Sequence, residues 1–188
     1  MARHHVSHRQ TRKGGLCPAC RCRPQAYACN VNEPTLAEEG NLRLAGLALP
    51  GWPTDPVREA AIVTRALAGE SVSPYGATLL WFAMPPGDEA PARWECACGT
   101  AITGLTRAGM SLPDGRRLLI EDYRDLRALT LAHAGPVRAI PETWKRLEAT
   151  AQHRSARLRP YWRVALRNKR LADGNLLPVT EISVFLDR

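Results

Sequence analysis

The placement of six cysteines constrains this 188-residue chain more than any other feature it carries. Four fall close together, at Cys17, Cys20, Cys22 and Cys29, and two more follow at Cys96 and Cys98. The N-terminus reads Met-Ala-Arg-His-His-Val-Ser-His-Arg, basic but with no apolar stretch behind it, so a secretory signal is not expected. In a cytoplasmic chain thiols stay reduced, and clustered cysteines then favour metal over disulfides. Zinc takes four thiolates at tetrahedral corners, and two ligands near in sequence share it only where the backbone turns tightly between them. Cys17-Pro18-Ala19-Cys20 supplies such a turn, with the proline fixing φ inside it. Cys96-Ala97-Cys98-Gly99 is a tighter version, in which Gly99 is expected to adopt the positive φ that folds backbone around an ion.

These two knuckles resemble those of zinc-ribbon modules, in which a CPxC turn and a CxxCG-type turn on a hairpin clamp one zinc. The resemblance covers residues 17–22 and 94–99, with a second knuckle one residue short and a long insertion between the two. It implies a structural Zn2+ held by Cys17, Cys20, Cys96 and Cys98. The residues themselves leave a local set open, made from Cys17, Cys20, Cys22 and Cys29, as well as two zincs sharing all six thiolates. An iron–sulfur cluster fits less well, because the spacing matches neither common ferredoxin run. An all-cysteine zinc site is coordinatively closed, which favours a structural role over hydrolysis at the metal.

Residues 1–16 read as a flexible basic arm, and His4, His5 and His8 in it as bystanders rather than ligands. Residues 17–135 read as a zinc-stapled α+β domain, and 136–188 as basic helices with a closing strand. Within the first domain, Thr35-Leu36-Ala37-Glu38 fits a capping box and predicts a helix from Thr35. A better-marked helix has Asp55 as cap, Pro56 at its first position and Gly69 at its end. The apolar run 77–84, the Pro85-Pro86-Gly87-Asp88 turn and residues 92–98 predict a hairpin. On its return strand, Trp94, Cys96 and Cys98 alternate with Arg93, Glu95 and Ala97, which puts the indole and both thiols on one side. A helix is expected over 122–134, closed by Gly135-Pro136. Apolar residues at helical spacing predict helices over 141–158 and 160–171, and the alternation of Thr180, Ile182, Val184 and Leu186 predicts a final strand. The fold expected is α+β, with a zinc-ribbon-like element, a central β-hairpin and a basic helical C-terminal half. The sequence shows no internal repeat.

Charge is unevenly spread. The formal net charge is +8, yet residues 25–137 carry more acidic than basic side chains, and the excess sits at 1–24 and 138–170. Arg154, Arg157, Arg159, Arg163, Arg167, Lys169 and Arg170, interleaved with Tyr161 and Trp162, are the candidate nucleic-acid-binding residues. Such charge meets phosphate, and aromatic rings can stack on unpaired bases. The competing reading is a solvated face, or one that docks on an acidic protein. No apolar run is long enough to cross a membrane as a helix. Phosphate loops, dinucleotide fingerprints, nucleophile elbows and zincin helices are all missing from the sequence. Glu121, Asp122 and Asp125 could serve a metal-dependent nuclease, but carboxylates also suit the start of the helix expected there. His133 and His153 read as packing or surface residues. The favoured function is therefore non-catalytic: a zinc-binding, DNA-binding or RNA-binding protein, regulatory or within a larger assembly. A phage-like or multiprotein assembly subunit that binds acidic surfaces is the alternative from another class.

Overall fold

Local chemistry starts the first helix as expected. In a computed structural model that describes residues 33–104, 109–170 and 174–187 (without the side chains of 169 and 170), Pro56–Ala66 forms α1. The Asp55 carboxylate accepts the Arg58 N–H at 2.9 Å, and Pro56 occupies the first turn, where its missing donor costs nothing. The second helix, α2, runs over Ile140–His153. The remaining regular structure is extended: β1 (Thr35–Leu49), β2 (Val72–Phe82), β3 (Cys96–Gly104), β4 (Leu118–His133), β5 (Leu158–Arg170) and β6 (Leu176–Leu186).

The α+β class holds, and the expected hairpin and closing strand are present as β2–β3 and β6. Three expected helices are strands instead. The segment from Thr35 is β1, 122–134 belongs to β4, and 160–171 belongs to β5, so the basic C-terminal segment is not helical throughout. In each case long-range pairing outweighs the local signal. In β4 and β5 the central residues are buried on both faces, so apolar residues do not alternate and can mimic a helical stripe, whereas at Thr35 pairing with β4 overrides a local capping pattern. In β4, Leu126 and Ala128 face one cluster while Leu129 and Leu131 face another. In β5, Ala165 faces inward while Trp162 and Val164 face α2. Pro160 falls where the β5–β6 register shifts, a position where a missing N–H is tolerated.

All pairings are antiparallel, and the strands close into a barrel in the order β1-β3-β2-β5-β6-β4. The element order β-α-β-β occurs twice, as β1-α1-β2-β3 and β4-α2-β5-β6. Exchanging the two halves maps the ring of strands onto itself, so the fold has an internal two-fold that the sequence does not display. One hydrophobic cluster draws on all six strands and on neither helix, which places it inside the barrel: Leu42, Leu44, Leu79, Trp81, Leu126 and Phe185 are among its members. Outside, α2 lays Ile140, Leu147 and Ala151 over Leu80, Phe82, Leu129 and Trp162. On another side, α1 covers Ala45, Leu47 and Ile102 with Val63 and with Leu67 at its C-cap. Period two thus sends Leu79 and Trp81 inward and Leu80 and Phe82 outward.

Two backbone features shape the interior. Gly40 (φ +68°) pairs with Leu126, Asp125 (φ +51°) falls in the bulge beside it where the β1–β4 register slips, and Asn41 accepts the Asp125 N–H at 3.1 Å. The bulge lets both Tyr123 and Leu126 pack against the interior cluster, which a regular strand would forbid. Gly99 serves a different end from the one expected. It has no positive φ; it pairs with Gly46, and a Cβ there would lie 1.9 Å from the Ala45 carbonyl oxygen. Close approach of β1 and β3 explains the glycine.

Candidate ligand-binding cleft

At one end of the barrel the interior opens into a cleft of about 520 Å³. Ala48, Ala83 and Ala97 line it with methyl groups, which leaves room between walls of larger residues. Those walls are Trp81, Tyr123 and Tyr161, with the carboxylates of Glu121 and Glu95 beside them. Trp81, Tyr123 and Tyr161 arrive on β2, β4 and β5, Glu95 lies just before β3, and Glu121 sits two positions from Tyr123 on β4, so that both point the same way.

The rings form a continuous cluster. Trp81 lies 4.2 Å from Tyr123, 5.4 Å from Tyr161 and 4.9 Å from Phe185, measured between centroids. Tyr123 and Tyr161 meet at 5.1 Å and 59°, which leaves them splayed rather than stacked. The Tyr123 hydroxyl donates to Glu121 Oε2 in a short hydrogen bond. Burial, together with that bond and the charge of Glu121, pushes the Tyr123 phenol far above its ordinary range, so it remains a donor. Tyr161 is held from outside: Arg159 Nη1 donates to its hydroxyl at 2.9 Å and to the Arg124 carbonyl at 3.1 Å. Trp81 is 4% exposed, and its indole N–H has no partner among the described residues.

A partly buried ion pair backs this aromatic cluster. Arg163 donates to both Glu39 carboxylate oxygens, at 2.7 and 2.5 Å, and to the Ser183 hydroxyl at 3.2 Å. Its guanidinium carbon sits 5.4 Å from the centroid of the Phe185 ring. The cleft therefore has an aromatic floor backed by a charge that is already neutralised.

The residues expected to form sites fall elsewhere. Cys17, Cys20, Cys22 and Cys29, and the arm before them, lie outside the described residues. Trp94, Cys96 and Cys98 do share one face, packed in the cluster beneath α2. The Cys96 thiol reaches the Gly51 carbonyl at 3.6 Å and that of Cys98 the Pro56 carbonyl at 3.4 Å. Burial pushes both thiols up to about 12. No cluster of three or more His, Cys, Asp or Glu able to hold a metal occurs among the described residues.

The basic segment is spread over several surfaces rather than one helix face. Arg154 caps α2, Arg157 lies 3.7 Å from Asp187, and Arg167 pairs with Glu181 at 2.7 Å. Arg159 braces Tyr161 from outside, Arg163 turns inward, and Lys169 and Arg170 have their backbones in β5. The nuclease triad also separates, because neighbours on a strand face opposite ways: Glu121 lines the cleft, while Asp122 pairs with Arg43 at 2.6 Å. His133 bonds to the Thr143 hydroxyl at 2.9 Å, a packing role.

The sequence does not announce the cleft. Trp81 was hidden in an apolar strand, and Tyr123 and Tyr161 fell in segments expected to be helical. An alternating reading of Glu121 and Tyr123 was the available signal.

Among the described residues no helix is long and apolar enough to cross a membrane. No protein-family model matches the chain, and no curated protein matches its sequence. Among solved structures, the crystal structure of the EcmrR C-terminal domain aligns with a TM-score of 0.60 at 11% identity, covering 84% of this chain and 99% of that one. A crystal structure of a hydrolase from Listeria innocua aligns at 0.51 with 11% identity, covering 83% and 92%. An uncharacterized conserved protein from Listeria innocua aligns at 0.53 with 10% identity, covering 83% and 93%. At such identities the likeness is one of architecture alone: this chain shares its fold with these proteins.

Proposed function

We propose that the barrel is a binding domain for planar organic cations, which lie in the cleft against the wall formed by Trp81, Tyr123 and Tyr161. The observation that carries this reading is a carboxylate, Glu121, set in an aromatic wall at the mouth of a preformed cavity. Ring faces attract cations by about 0.5–2 kcal/mol each, more where water is excluded. Apolar walls with a few placed polar groups are the general form of small-molecule sites. Glu95 adds a second negative charge at the rim. The Tyr123 hydroxyl bonded to Glu121 keeps that carboxylate aimed while the site is empty.

The test compares 1-methylquinolinium with its uncharged isostere 1-methylnaphthalene, followed by tryptophan fluorescence. Wild type should bind the cation more tightly. Glu121→Gln should weaken the cation about tenfold, the size of a lost charge interaction of about 1.4 kcal/mol, and leave the isostere unchanged. Equal affinity for the two compounds in wild type would remove the reading.

A second reading concerns the N-terminal cysteines. A structural zinc is proposed on Cys17, Cys20, Cys22 and Cys29, with the basic residues around it meeting nucleic acid or an acidic protein surface. What favours this local set over one that includes Cys96 and Cys98 is the state of the latter thiols, both buried and directed at backbone carbonyls. Metal ligation needs the thiolate. Metal analysis of purified protein should find one zinc in Cys96→Ala/Cys98→Ala and none in Cys17→Ser. Loss of zinc from the first variant would return the ligand set to Cys17, Cys20, Cys96 and Cys98. Wild-type protein without zinc would end the metal proposal.

A further inference from the structure

β2 and β5 do not pair along their whole length. Their ladder runs from Phe82 and Trp162 to Thr78 and Leu166 and ends there, although β2 reaches back to Val72 and β5 runs on to Arg170. Before Thr78, Gly76 (φ +81°) sits where the β2–β3 register shifts, and β2 is paired with β3 alone. After Leu166, β5 is paired with β6 alone, Arg167 to Arg170 lying opposite Val179 back to Leu176. The two strands part around a notch of about 650 Å³, at the opposite end of β2 from Trp81. Val57, Ala77, Leu166 and Val179 give it apolar walls, and Arg167 is the one charged residue among those described that line it.

The two edges that flank the notch differ as templates. A strand without a neighbour presents a row of unpaired backbone donors and acceptors. On β2 that row is interrupted, because Pro74 has no N–H and the bulge after Tyr75 turns the backbone. On β5 all four residues from Arg167 to Arg170 keep an N–H, and every second one turns it away from β6. Three of the four are basic. Glu181 meets Arg167 at 2.7 Å in a surface pair, which leaves this edge positive overall.

We infer that the β5 edge docks an acidic polypeptide segment in extended form, which adds to the sheet as a strand and fills the notch. Main-chain hydrogen bonds hold the guest, and its side chains select it. Arg167 and Leu166 are successive residues and face opposite ways, so the guest sets carboxylates beside the first and apolar groups beside the second. A second copy of this chain fits less well. Its own β5 edge would bring the same three basic residues against these, and like charges across a strand pair oppose pairing. A nucleic acid supplies negative charge without the ladder.

The test titrates a fluorescent, end-blocked heptapeptide of alternating glutamate and valine, read by anisotropy. It should bind wild type at least tenfold more tightly than the lysine–valine peptide of the same length. Two further analogues carry N-methyl groups on the glutamates or on the valines, and so block opposite edges of the guest strand. One of them should lose affinity at least tenfold while the other keeps it. Arg167→Gln should weaken the glutamate peptide about threefold, with a urea midpoint close to that of wild type. Absence of binding, equal affinity for the lysine peptide, or the same response to both methylated analogues overturns the inference. So does a wild-type dimer in sedimentation that the peptide does not dissociate, which would give the edge to a second copy. An oligothymidine that binds more tightly than the peptide, and also weakens in Arg167→Gln, would give it to nucleic acid.

Discussion

Replacing Trp81 with alanine is expected to lower stability by about 3–5 kcal/mol and to abolish binding of 1-methylquinolinium. Trp81 is the residue at which the fold and the proposed site coincide. Its ring touches Tyr123, Tyr161 and Phe185, and it belongs to the one cluster that lies wholly inside the barrel. Removing it deletes a large apolar area and opens a cavity that strands paired on both sides cannot collapse to fill. Trp81→Phe should behave otherwise. Because the indole N–H makes no hydrogen bond within the described residues, phenylalanine forfeits no partner and also removes an unsatisfied buried donor. Its cost should stay under about 2 kcal/mol, with cation affinity within about threefold of wild type. Urea unfolding gives the first quantity and fluorescence titration the second. If Trp81→Ala unfolds at the wild-type urea midpoint, the interior packing described here is wrong. If Trp81→Phe loses binding as fully as Trp81→Ala, the indole N–H, rather than the ring face, is what the ligand uses.

The elements that the sequence announces are those whose signals are local. Asp55, Pro56 and the following apolar face specify α1 within a few residues of themselves, and the turn 85–88 fixes the hairpin in the same way. The strands misread as helices, β1, β4 and β5, take their conformation from partners far away in sequence. A capping-box pattern at Thr35 and Glu38 is overridden once Thr35 pairs with Thr130. A strand covered on both sides carries no alternation to read, and a bulge such as that at Asp125 erases what alternation remains. The same cause hid the cleft. Glu121 and Tyr123 share a face only on a strand; on the helix expected there they would diverge, and Glu121 then stood out only as one acid among three. The alternation of Trp94, Cys96 and Cys98 was legible because one side of that strand end is covered and the other open. The inward Arg163 was not, since nothing near it in sequence announces a partner at Glu39, 124 residues away.

That distant pair should show a marked asymmetry when it is broken. Glu39→Ala is expected to cost about 3 kcal/mol, and Arg163→Met only about 1–2 kcal/mol. The Arg163 side chain is 6% exposed, so without Glu39 its charge stays in the barrel with only Ser183 to meet it. The Glu39 side chain is 23% exposed, and without Arg163 its carboxylate can turn toward water. Replacing both residues with methionine should be nearly neutral, because two desolvated charges leave together and apolar volume takes their place. The Arg163 Nε already lacks a partner among the described residues, so the pair enters this comparison incompletely satisfied. A consequence for binding follows from position. The guanidinium lies 5.4 Å from the Phe185 ring, which itself contacts Trp81 and Tyr161. With Glu39 absent, an uncompensated positive charge sits behind the aromatic floor. Glu39→Ala should therefore weaken 1-methylquinolinium while leaving 1-methylnaphthalene unaffected, and the double methionine variant should restore the cation's affinity. Urea midpoints of the two single variants and the double decide the stability claim, and titration of the folded fraction decides the electrostatic one. Equal costs for the two single variants, or a double variant as unstable as Glu39→Ala, would mean that the pair is held by its packing and not by its charges.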